Sequence, residues 1–291
     1  MIGQLLSIVV PVLICAAIGF VWARLGRGFD VELVTILITN VGAPCLVFHT
    51  LANLDVSPSA FGGMVGAAAA NISVCAILSL GILALLRLSR RAYLPALVFA
   101  NTGNMGLPLS YLAFGDVGLG FAIAVFTVYS VTMFTVGPAL ASGSTSWRAV
   151  ARVPILYAIP PALGFMFTDT VPPQWLNATT DLLGDITIPM MLIALGVSLS
   201  RLQVTSLRRS LGLALLRIAM GFFVALAIAA AFHLDPVARG VLIVQASMPS
   251  AVFNYLFAQR YRSAPEEVAG IVVISTAIAF VLLPFLLWFV L

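Results

Sequence analysis

Runs of about twenty apolar residues recur from one end of the chain to the other, separated by gaps too short to hold a domain. An α-helix needs about 20 residues to cross roughly 30 Å of hydrocarbon, and only helices and closed barrels satisfy their backbone there. Ten such spans are expected, at about 2–23, 32–52, 61–86, 93–113, 117–141, 153–168, 178–200, 210–232, 237–258 and 267–290. Of 291 residues, 62% are hydrophobic and 8% charged, about a third of the charge an ordinary soluble domain carries. The reading is an all-α polytopic membrane protein embedded in lipid. The first span is kept as a helix and not a signal peptide, because its apolar stretch is too long and its cationic residues, Arg24 and Arg27, follow it.

Every basic residue is arginine, and twelve of the fourteen (Arg24, Arg27, Arg87, Arg90, Arg91, Arg148, Arg152, Arg201, Arg208, Arg209, Arg260, Arg262) fall at the junctions after spans 1, 3, 5, 7 and 9. The alternate junctions hold only Arg239. By the positive-inside rule the odd junctions are cytoplasmic and both termini lie outside, the arrangement of a multi-pass inner-membrane protein. The pI of about 9.3 therefore reports topology and calls for no nucleic-acid partner.

The chain also repeats itself. A shift of 145 carries Gly19-Phe20 onto Gly164-Phe165 and Pro44 onto Pro189; neighbouring shifts carry Tyr111-Leu112 onto Tyr255-Leu256 and Pro138 onto Pro284. The matches relate spans 1–5 to spans 6–10, so residues 1–141 form one five-helix repeat, 142–152 a cytoplasmic linker and 153–291 a second repeat. Five is odd, so span 6 runs opposite to span 1 and the two copies are inverted, the usual construction of secondary transporters.

Spans 4 and 9 carry residues that unmake helices. Span 4 reads "NTGNMGLPL", with Asn101, Asn104, Gly106 and Pro108; span 9 reads "VQASMPSAVFNYLFAQRY", with Gln245, Pro249, Ser250 and Asn254. Proline lacks an amide proton and clashes with the carbonyl four residues back, so breaks are expected near Pro108 and Pro249. Freed backbone groups are costly in lipid and must face protein, water or a ligand. Two half-helix starts meeting at mid-membrane would favour an anion, oriented by the uncharged side chains of Asn101, Asn104, Gln245 and Asn254. The bland alternative is helix packing through Gly103 and Gly106, with the asparagines bonding across helices.

On these residues the chain resembles the auxin efflux carrier family, whose bacterial members include carriers of malate, malonate and similar acids. "NTGNMGLPL", "SMPSAVFNYLFAQRY", "IPMMLIALGVSL" in span 7 and the closing "GIVVISTAIAFVLLP" carry the resemblance. It implies a ten-helix inverted repeat with spans 1, 2, 6 and 7 as scaffold, spans 3–5 and 8–10 as a transport domain, and spans 4 and 9 crossing beside the substrate. It also implies a homodimer. The plant members' long cytoplasmic loop has no counterpart at 142–152, so their loop-based regulation is not expected.

Three further polar residues are coupling candidates. Asp185 precedes Pro189 by one turn, and the 145 shift places it on Asn40, one turn before Pro44. Asp185 is either an embedded proton acceptor or, with Asp181, an outer-surface residue. Arg217, two turns into span 8, either snorkels to the cytoplasmic face or faces the interior. His49 and His233 read as interfacial, and Asn177-Ala178-Thr179 as a chance glycosylation pattern. Cys15, Cys45 and Cys75 show neither disulfide nor metal spacing. No cofactor is expected, while proton or sodium coupling stays open.

Enzyme readings are weak, since no Gly-x-Gly-Asp element or embedded serine–histidine pair is present. The expectation is a carrier of small organic anions, mono- or dicarboxylates, working by alternating access. The rivals are a cation/proton antiporter of the same fold, disfavoured because spans 4, 5, 9 and 10 have no interior carboxylate, and a membrane sensor that does not transport.

Overall fold

The computed structural model describes residues 2–54, 56–142, 154–168, 170–202 and 206–291. The expected linker, with Arg148 and Arg152, lies outside the described residues apart from its first position, Ser142. Among the described residues the chain is helical throughout, and the one β-type pairing is an isolated antiparallel bridge between Ala100 and Ser250.

The first half opens with α1 (Ile2–Arg24), then α2 (Val31–Leu37), a π-helical turn (Ile38–Gly42) and α3 (Ala43–Ala52) in one continuous rod. It continues through α4 (Pro58–Leu85), α5 (Arg90–Val98), a second π-helical turn (Thr102–Gly106) and α6 (Leu107–Ser142). The second half comprises α7 (Ile155–Thr168), α8 (Gln174–Asp185), α9 (Thr187–Arg201), α10 (Leu207–Ala231), α11 (Pro236–Ala246), α12 (Val252–Arg260) and α13 (Pro265–Val290). Among the described residues, seven helical stretches are long and apolar enough to cross a membrane. The expected spans missing from that set are the short α7 and the two that break: span 9, and span 4, whose second half runs on with span 5 as one stretch.

Local chemistry sets the helix ends. Ser57, Ser89 and Asp235 each accept a backbone N–H at the start of α4, α5 and α11, satisfying amides that have no carbonyl ahead of them. At the other end, α4 and α10 close with a left-handed residue, Arg87 and His233, and paired turn bonds: Leu88 N–H to Leu83 C=O, and Leu234 N–H to Ala229 C=O. Within α6 the chain turns sharply at Gly115, whose φ of +65° suits a residue without a Cβ.

Packing draws α1 onto α9, α3 onto α7 and α8, α10 onto α13 and α11 onto α6. The α1–α9 contact is backbone to backbone: a Cβ on Gly196 would stand 1.9 Å from the Ala16 carbonyl oxygen, and one on Gly19 would stand 2.0 Å from that of Ile193. Where helices cannot gain by leaving water, such close approach of small residues is what holds them together. At the arginine-rich side Glu267, in the first turn of α13, takes both oxygens to Arg209 of α10 (3.0 and 2.9 Å) and accepts the Tyr93 hydroxyl of α5. His49 of α3 faces Asp181 of α8 at 3.3 Å, and Asn53 donates to Asn177 at 2.7 Å. His233 is exposed at its turn.

Candidate functional site

Both expected breaks are present, and they touch. After Val98 the chain is non-helical through Asn101, and after Ala246 it is non-helical through Ala251. At the bridge, Asn101 N–H donates to Pro249 C=O (2.8 Å) and Ala251 N–H to Phe99 C=O (3.0 Å). Asn254 adds its side-chain amide to Phe99 C=O and to Ser250 Oγ, both at 2.9 Å, and Ser250 N–H donates to Ser275 Oγ at 3.1 Å. The N–H groups of Asn101 and Ala251 and the carbonyls of Phe99 and Pro249 are thus satisfied across the gap by the opposite break.

The first break falls earlier than expected. It sits at 99–101, seven to nine residues before Pro108, which lies in the first turn of α6 where proline is tolerated. The missing Pro108 amide instead loosens the preceding turn into the π form, with Gly106 N–H reaching Asn101 C=O at 3.1 Å. The positive half-helix end is therefore at Thr102–Asn104. In span 9 the helix resumes at Val252, just after Pro249, and neither start is capped by a side chain.

Both starts face one cavity of about 670 Å³. Its inner wall is Phe99–Asn104 and Ala251–Phe253; its sides are Thr35 and Thr39 of span 2, Phe126, Tyr129, Ser130 and Phe134 of span 5, and Met191 and Ser198 of α9. It extends to Glu32 and Arg201, both exposed, so it opens at the arginine-rich end. Arg201 is held there by donating to Phe29 C=O at 2.9 Å. The volume is that of an ordinary small-molecule pocket, with a mostly apolar wall and a few polar groups at one place.

Of the eight site residues read from the sequence, Asn101 and Asn104 line this cavity. Asn101 is 5% exposed and its side-chain amide nitrogen has no partner. Gly106, Pro108, Gln245, Pro249, Ser250 and Asn254 stand behind the wall. Gly106 is where the two broken spans touch: a Cβ there would be 2.3 Å from Gln245 Oε1. Gln245 is fully buried and donates to Ser110 Oγ at 3.3 Å. Asn254 is not a cavity residue, since its amide is committed to the bridge.

The coupling candidates part company. Asn40 is exposed, its side chain returned to Ile36 C=O at 2.8 Å, and Asp185 is exposed at the end of α8. Neither lines the cavity. Arg217 does not snorkel; it is fully buried and donates to Ala246 C=O at 2.9 Å. The aromatic side walls escaped the sequence reading, because an aromatic residue facing a cavity and one facing lipid give the same apolar signal.

The membrane transport protein family matches residues 153–287. A curated relative, "Putative malonate transporter" of Rhizobium meliloti (strain 1021), is 25% identical over 199 residues, 62% of this chain. The chain spans 61% of the length of that relative. Taken with the motifs of the two broken spans, these matches make the chain similar to membrane transport proteins of the auxin efflux carrier type, a likeness to transporters and not to enzymes.

Proposed function

We propose that the protein is an inner-membrane carrier of small organic anions, mono- or dicarboxylates, that works by alternating access with both termini outside. The observation that carries this reading is the convergence of two uncapped half-helix starts, with Asn101 and Asn104, on one wall of a single cavity. Amides at helix starts favour negative charge. The relative's name makes malonate the first substrate to try.

Alternating access is supported by matched features of the two halves. The left-handed turns at Arg87 and His233 and the caps at Ser89 and Asp235 recur at an offset of 146, the one that carries Pro138 onto Pro284 in the sequence. The kinks before Pro44 and Pro189 recur at the neighbouring offset of 145. Ten crossings in two inverted copies account for all of these. Spans 3–5 and 8–10 would move as one body against spans 1, 2, 6 and 7, and the cavity between them, open at the arginine-rich side, would be the inward-facing state. Among the described residues, Glu32 at the mouth is the one carboxylate in the cavity lining, which suits anion carriage better than cation exchange.

Proteoliposomes containing the purified protein should take up labelled malonate faster than empty vesicles, and unlabelled malonate should compete. Saturable sodium–proton exchange with no anion flux would establish the antiporter instead. Binding without flux of any carboxylate would make the protein a sensor.

A further inference from the structure

Four helix ends meet at the crossover, two of them positive and two negative. The ends of α5 and α11 present carbonyls, while the starts at Thr102 and Val252 present amides. The carbonyl ends therefore offset part of the field that the amide starts set up at the cavity. Arg217 upsets that balance. It is among the largest fully buried side chains, and its guanidinium, a permanent cation, donates Nη2 to Ala246 C=O, the carbonyl end of α11. The fit is specific: Gly221, one turn on, lies against the same carbonyl, where a Cβ would stand 1.9 Å from the oxygen. Nε and Nη1 have no partner, and the ion pairs among the described residues, His49–Asp181 and Arg209–Glu267, do not involve Arg217.

A buried cation without a carboxylate is expensive and calls for a function. Arg217 lies within electrostatic reach of Tyr129 and Cys75, and the Tyr129 hydroxyl, at the cavity wall, donates to Asn71 Oδ1 at 2.8 Å. By the repeat offset of 146 that relates Arg87 to His233, the counterpart of Arg217 is Asn71, a neutral amide. One half of the molecule thus contributes a charge behind its break where the other contributes none.

We propose that Arg217 is the fixed counter-charge of the carried anion: it neutralises the carbonyl end of α11, so that the amide ends at Thr102 and Val252 dominate the field in the cavity. This rests on the anion reading above and makes Arg217 a positioning residue that acts through the field, without touching substrate. A unit charge about 10 Å away, screened to an effective dielectric of about 20, changes affinity by about tenfold.

Malonate titrated calorimetrically into nanodisc-embedded protein tests this. Arg217→Gln should weaken malonate binding about tenfold or more, while Arg217→Lys, which keeps the charge but not the hydrogen-bond geometry, should stay within about threefold of the unaltered protein. Asn71→Asp, nearly isosteric, should weaken binding about as much as Arg217→Gln by neutralising the guanidinium. Folded Arg217→Gln that binds malonate as tightly as the unaltered protein would overturn the proposal. Should Arg217→Gln fail to fold, Asn71→Asp decides alone, and undiminished binding overturns it. Unaltered protein that binds none of malonate, acetate and benzoate would bring down the anion reading itself, and this inference with it.

Discussion

Spans 2 and 7, like spans 4 and 9, meet at a glycine beside a turn that proline disturbs, yet only one of these two pairs is broken. Where spans 2 and 7 cross, Pro44 and Pro189 follow a π-helical turn and a one-residue kink, and a Cβ on Gly42 would stand 2.4 Å from Thr187 Oγ1. These helices bend and continue. Where spans 4 and 9 cross, three to five residues leave the helix altogether and pair across the gap. Proline accounts for the kink in each case, since it removes one donor and crowds one carbonyl. The break needs more: side chains such as Asn254, Ser250 and Ser275 that take up the backbone groups a longer gap leaves open. One crossing is built to hold a bend, the other to place helix ends at a cavity.

The sharpest way to break that distinction is to remove the side chain that sustains the gap. Asn254→Ala should cost about 2 to 3 kcal/mol, because Phe99 C=O and Ser250 Oγ each lose a buried partner, and should abolish malonate uptake. A thermal unfolding midpoint close to the unaltered protein's would show that the bridge holds without it. Next come the paired glycines. Gly106→Ala drives a methyl into the Gln245 amide and Gly42→Ala drives one into Thr187 Oγ1, so each should destabilise by about 1 to 3 kcal/mol. Uptake normalised to folded protein should fall severalfold only for Gly106→Ala; equal losses would erase the functional difference between the crossings.

A smaller effect is expected at the wall itself. Asn104→Ala should raise KM for malonate about tenfold, the loss of one hydrogen bond of about 1.4 kcal/mol, with an unchanged unfolding midpoint. Unchanged KM would remove Asn104 from the binding wall. The smallest effect belongs to the other crossing: Asp185→Asn should leave the pH profile of uptake within about twofold, since Asp185 is exposed and away from the cavity. A displaced pH optimum would return coupling to span 7.

The breaks were readable because in spans 4 and 9 a mid-span proline stands among several amide and hydroxyl side chains. Their consequences were not. Pro108 marks the end of the disturbance and not its start, since the proline ring acts on the turn before it. The sequence also suggested that freed amides await a ligand, whereas Asn101 and Ala251 find each other's strand first. Arg217 stands two turns from the arginine-rich face, so spacing alone could not separate a snorkelling side chain from a buried one. The cavity's side walls were hidden for a different reason: helices surrounded by lipid are apolar on every face, and the periodicity that betrays an inward surface in soluble proteins is erased.

The Ala100–Ser250 bridge constrains how any motion can proceed. Its amides give up their partners only if α5 and α12 separate in a medium that offers no replacement, so the two interrupted rods must travel as a single piece. In the alternating-access scheme proposed above, the barrier to exchanging faces would then lie in sliding greasy helix surfaces past one another, and the amide protons of Asn101 and Ala251 should be among the last in the molecule to trade with deuterium.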